Sequence, residues 1–100
     1  MIISISSKDL KNLKPEEIYF VDVREKDEFN EDHIPGSHNM PLSTFKAREI
    51  LAFLPSEKKC VFYCRAGKRS MDVCNLLEEE NDIDFTFYNL EGGIIDYQSK

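Results

Sequence analysis

The apolar residues of this chain fall into short, compact runs, too brief for helices and separated by stretches with helical spacing. Residues 18–23 (Ile-Tyr-Phe-Val-Asp-Val) and 60–63 (Cys-Val-Phe-Tyr) are the clearest of them. Runs of this length, rich in β-branched and aromatic residues, read as strands buried on both faces, as in parallel sheets. Further strands are expected over residues 2–5, 38–40 and 85–90. Ser7 is expected to cap a short helix over residues 8–13, stopped near Lys14 and Pro15. A second helix is expected over residues 26–30, followed by a turn at Ile34-Pro35-Gly36-Ser37. Ser43 or Thr44 can cap a third, whose Ala47, Ile50, Leu51 and Leu54 recur at core spacing before Pro55. A fourth, from Arg69 or Ser70 to about residue 80, carries Val73, Cys74, Leu76 and Leu77 on its apolar side. The alternation predicts an α/β fold, a small parallel sheet flanked by helices on both faces, and 100 residues with 41% apolar content suffice for one domain spanning residues 1–100.

Composition narrows the function classes. The chain has net charge −6, which disfavours direct nucleic-acid contact, since phosphates require a broad basic face. No apolar run approaches the roughly 20 residues needed to cross a bilayer, and the start lacks a leader pattern, so a soluble cytoplasmic protein with no membrane partner is expected. Three cysteines without paired spacing speak against a disulfide framework and for a reducing compartment. There is no Cys-x-x-Cys, and His33 and His38 lie beside Pro35 and Gly36 without further ligand spacing. No metal or other cofactor is expected.

The chemistry is concentrated after residues 60–63, in Cys64-Arg65-Ala66-Gly67-Lys68-Arg69-Ser70. This segment holds three cations and no carboxylate, so the other 93 residues carry −9. It joins a strand to a helix N-terminus, where unpaired backbone N–H groups and the helix dipole favour a bound anion or thiolate. Such surroundings, with nearby Arg and Lys, lower a cysteine pKa from about 8.5 to as little as roughly 3.5. Gly67 permits the positive φ needed for several amides to converge on one ligand. Lys68 and Arg69 at the positive end of the helix, with Glu78, Glu79 and Glu80 at its negative end, are unfavourable for stability, a pattern expected where function outweighs it. A cysteine at a strand end is otherwise a small buried hydrophobe; Cys74, on the apolar helical face, reads as core, and Cys60, four residues before Cys64 on the same strand, is too far from it to bond.

Four segments in order, Asp22-Val23-Arg24-Glu25, His33-Ile34-Pro35-Gly36-Ser37-His38-Asn39-Met40-Pro41-Leu42, Tyr63 to Ser70, and Leu90-Glu91-Gly92-Gly93-Ile94, make the chain resemble the rhodanese-like sulfurtransferases over nearly its whole length. The resemblance implies that Cys64 forms a persulfide, and that residues 64–69 form a six-residue loop in which Arg65, Ala66, Gly67, Lys68 and Arg69 bind substrate. It gives Asp22, Arg24 and Ser70 supporting places. Phosphatase-like relatives carry a loop one residue longer, with arginine six positions after the cysteine; here that position is Ser70 and arginine stands at five. The shorter loop favours a sulfane sulfur atom over phosphate. Tyr97 stands where an aromatic, often Trp, follows the double glycine, and the final helix is expected to be truncated or frayed.

The activity implied is transfer of sulfane sulfur from thiosulfate, or another small anionic or persulfide donor, to a thiol or cyanide acceptor, with Lys68 and Arg69 attracting the donor. The alternative is a sulfur-relay or binding module that acts only with a partner protein.

Overall fold

The computed structural model describes residues 1–82 and 84–99. Five parallel strands form one sheet: β1 (Ile2–Ile5), β2 (Ile18–Asp22), β3 (His38–Asn39), β4 (Lys59–Tyr63) and β5 (Phe87–Leu90), in the order β1-β5-β4-β2-β3. Among the described residues the α-helices are α1 (Ser7–Leu10), α2 (Lys26–Glu31), α3 (Ala47–Phe53), α4 (Lys68–Glu79) and α5 (Gly93–Gln98). The strand β4, with Cys60, Val61, Phe62 and Tyr63 fully buried, is central, and its carboxyl end opens onto the Cys64 loop.

Side-chain alternation divides the core into two layers. Cys60, Phe62 and Cys64 face one side, where Val21, Val23, Phe87 and the α4 residues Val73, Cys74 and Leu77 join them, with Ala47, Ile50 and Leu51 of α3 packed against the cluster. Val61 and Tyr63 face the other side, among Leu10 of α1, Phe20, Ile34, Leu90 and Ile94 of α5. Tyr97 adds an edge-on contact to the Phe20 ring at 6.0 Å, which holds the six residues of α5 against this layer. The expected parallel sheet with helices on both faces is the observed one.

Several local expectations shift. The cap of α1 is Ser6, whose Oγ accepts from the Asp9 amide; Ser7 is the first helical residue, and its hydroxyl donates to Asp96. This helix ends at Leu10 because the amides of Asn12 and Leu13 reach back only three residues, tightening the chain out of the α-helix. Neither Ser43 nor Thr44 caps α3. They lie in a 3-10 turn (Leu42–Thr44), the Ser43 hydroxyl donates to Glu25, and α3 starts after Lys46. Leu76 is 42% exposed and leaves the core to Val73, Cys74 and Leu77. The last strand begins at Phe87, two residues later than expected.

Three of the five charges that strain α4 find tertiary partners: Arg69 pairs with Glu28, Glu78 with the amino group of Met1, and Glu80 with Arg48. The unfavourable interaction with the helix dipole is thus offset in part by contacts distant in sequence.

Candidate active site

Gly67 is the hinge of the loop. At φ 107° it adopts the left-handed conformation that glycine tolerates, and it caps α4, which starts at Lys68, slightly earlier than expected. That turn brings the Gly67 amide to 3.1 Å from Cys64 Sγ and the Ser70 amide to 3.4 Å, both donating to the sulfur. The Ser70 hydroxyl lies 3.5 Å from the same atom.

These donors separate Cys64 from the other two buried cysteines. Burial pushes the thiols of Cys60 and Cys74 up to about 12. Burial also raises Cys64, but hydrogen bonds from the Ser70 hydroxyl and from the Ser70, Gly67 and Ala66 amides outweigh it, and the thiol lies below its ordinary pKa. The hydroxyl has one proton and three acceptors within reach: Asn89 Oδ1, the nearest, the Gly67 carbonyl at 3.2 Å, and the sulfur, the farthest. The amides, which have no nearer alternative, are therefore the dependable donors to the thiolate.

The loop carbonyls must turn away for its amides to face inward, and α5 fixes that orientation. The Ile94 amide donates to the Cys64 carbonyl at 2.9 Å and the Ile95 amide to the Arg65 carbonyl at 3.2 Å. So close an approach requires Gly93, where a Cβ would lie 2.3 Å from the Arg65 carbonyl oxygen. Asn89, 4% exposed on β5, supports the loop from below: besides accepting from Ser70, its Nδ2 donates to the Gly67 carbonyl at 3.4 Å.

The remaining expected residues take distinct places. Arg65, Ala66 and Lys68 are exposed, while Gly67 and Arg69 are half-buried. Arg69 grips Glu28 through both terminal nitrogens, at 2.8 and 3.0 Å. Asp22 and Arg24 are buried as a fork pair, Nε and Nη2 on the carboxylate; Arg24 also donates to the Asp32 carbonyl, and Asn39 ties the Asp22 and Arg24 carbonyls together. This pair fixes the end of β2 beside the loop. The Tyr63 hydroxyl accepts from the Ile34 amide and donates to Ser37, anchoring the Ile34–Ser37 turn on β4. His33 stacks on Phe29 and His38 on Tyr19. Among the described residues no cluster of His, Cys, Asp or Glu could hold a metal ion.

Sequence reasoning did not single out Asn89 or Glu28, and it noted Gly93 only within a motif. A polar residue inside the apolar run over residues 85–90 was the available signal for Asn89.

Residues 6–100 match a family described as the rhodanese-like domain. The putative sulfurtransferase YtwF of Bacillus subtilis is 36% identical over 85 residues, covering 85% of this chain and 78% of that protein. A probable adenylyltransferase/sulfurtransferase, MoeZ of Mycobacterium tuberculosis, is 33% identical over 75 residues, 75% of this chain but 19% of its own length. Among solved structures, a rhodanese-related protein from Thermoplasma volcanium superposes with a TM-score of 0.79 at 29% identity, covering 97% of this chain and 91% of that one. With the sheet order, the amide-lined cysteine loop and a family match over nearly the whole length in agreement, the chain belongs to the rhodanese-like family.

Proposed function

We propose that residues 1–100 act as a single sulfurtransferase domain through a persulfide on Cys64. The observation that carries this reading is the convergence of the Gly67 and Ser70 amides on one depressed, almost fully buried thiol, 2% exposed. So little of this residue faces solvent that a terminal sulfur, delivered end-on, suits it better than a bulky acyl or phosphoryl centre.

In this scheme the Cys64 thiolate attacks the outer sulfur of thiosulfate or of a persulfide. The donor's S–S bond breaks as the new one forms, and the electron pair leaves on sulfite or on the donor thiolate. The loop amides hold the negative charge of the resulting persulfide, and the exposed Arg65 and Lys68, without an ion-pair partner among the described residues, are left to attract the incoming anion. A thiol or cyanide then takes the outer sulfur and restores the Cys64 thiolate. Three free cysteines fit a reducing compartment such as the cytoplasm.

Intact-protein mass spectrometry after brief exposure to thiosulfate or cysteine persulfide tests the scheme. Wild type should gain one sulfur atom that cyanide or dithiothreitol removes, while Cys64→Ser gains none. A Cys64→Ser protein that still transfers sulfur at the wild-type rate would sink it. The second reading, a relay that hands sulfur to a partner protein, is supported by the match to a domain-sized part of the much longer MoeZ. Stable loading with release only on addition of a partner would favour it.

A further inference from the structure

Three cations lie in the loop, yet one of them is already engaged. Arg69, the nearest in sequence to the Ser70 donor, has both terminal nitrogens on the Glu28 carboxylate, at 2.8 and 3.0 Å. The pair is about one-third exposed on each side, so it lies at the rim of the site. Glu28 belongs to α2, held next to the loop by the buried Asp22–Arg24 pair just before that helix. The geometry of its own helix fixes this carboxylate further, since Glu28 Oε1 accepts from the Glu25 amide and closes a capping box. Arg65 and Lys68 are exposed and have no ion-pair partner among the described residues.

The geometry points to Glu28 as a specificity-determining residue: by occupying Arg69 and cancelling its charge at the loop rim, it selects against doubly charged small donors such as thiosulfate and in favour of a persulfide borne on a thiol. This assignment rests on the sulfurtransferase reading and narrows its donor. Paired, Glu28 and Arg69 are together close to neutral, so a dianion loses the attraction of that guanidinium, a loss twice as large for it as for a monoanion. A persulfide R–S–S⁻ or R–S–SH brings at most one charge at its reacting end. Its transfer balances without any further reagent: the Cys64 thiolate bonds the outer sulfur, the donor S–S bond breaks, and R–S⁻ leaves with the electron pair and picks up a proton from solvent. Withholding an attractive charge in this way discriminates between ligands that differ in charge.

Glu28→Gln tests this, because glutamine can still accept one hydrogen bond from Arg69 but carries no charge. Two ratios are read on the full chain. The first is the rate of Cys64 alkylation by iodoacetate divided by that by iodoacetamide, which cancels any change in the thiol's own reactivity. It should rise about threefold for a one-charge difference in the reagent. The second is persulfide loading by thiosulfate divided by loading by cysteine persulfide, which should rise by a similar factor, with wild type loading faster from cysteine persulfide. A thiosulfate loading rate about tenfold above wild type would match its double charge. Ratios that stay at wild-type values, or fall, would overturn the assignment even if both donors load the protein. If neither donor loads Cys64 in either protein, the sulfurtransferase reading fails and the donor assignment with it, whereas an unmoved alkylation ratio removes the charge filter alone.

Discussion

Cys64, Cys60 and Cys74 show that burial and reactivity are separate properties of a thiol. All three are buried, and only the one that receives amide hydrogen bonds lies below its ordinary pKa. Iodoacetamide titration against pH should therefore find one reactive cysteine with a midpoint below that of a free thiol, lost in Cys64→Ser. Ser70→Ala should raise that midpoint only modestly, because the nearest acceptor of the hydroxyl is Asn89 and the Ser70 amide remains. Glu28 gives a second pH dependence. Its pairing with Arg69 lowers the carboxyl from 4.5 to about 2, so the contribution to stability is present above the unfolded value and lost as pH falls towards 2. Partial exposure limits it to about 0.5 kcal/mol, read as the wild-type minus Glu28→Gln difference in unfolding free energy at pH 7, which should shrink between pH 4.5 and pH 2.

At the scale of elements, the site is three junctions meeting: the β4–α4 loop, the end of β5, and the first turn of α5. Gly93→Ala probes the meeting point, because a Cβ there would lie 2.3 Å from the Arg65 carbonyl oxygen and 2.7 Å from the Ala66 amide nitrogen, and Gly93 itself has φ 64°. The loop must move or α5 must lift, so denaturant melts should show a loss of about 2–4 kcal/mol and sulfur loading should fall sharply. These junctions differ in how far they could be read from sequence. Cys64, Gly67 and the loop cations are consecutive, so their strand-to-helix context was legible within one local window. Asn89 reaches the site through the register that pairs Phe62 with Asn89 across β4 and β5, which only the folded sheet sets. Glu28 arrives from a helix some 40 positions before Arg69. The displaced cap of α3 has a similar cause: the hydroxyl at Ser43 that would serve it locally is taken by Glu25, 18 residues away.

The whole molecule is an acidic body carrying a small basic loop, since the segment with Arg65, Lys68 and Arg69 is set in a chain of net charge −6. Raising ionic strength screens both the attraction of the loop and the repulsion of the rest. Within the Glu28→Gln protein, where attraction at the loop is stronger, thiosulfate loading should slow more steeply with salt than in wild type, as followed by mass spectrometry over a salt series. The order of assembly adds a different consequence. Asn89, Gly93 and the amides of Ile94 and Ile95, which support the loop, all lie later in the chain than Cys64. During synthesis the cysteine leaves the ribosome well before the segments that orient its loop, and until β5 and α5 dock it is an ordinary thiol. Completion of the fold is thus the step that lowers the Cys64 pKa, and an unfinished chain carries a thiol of ordinary acidity at this position.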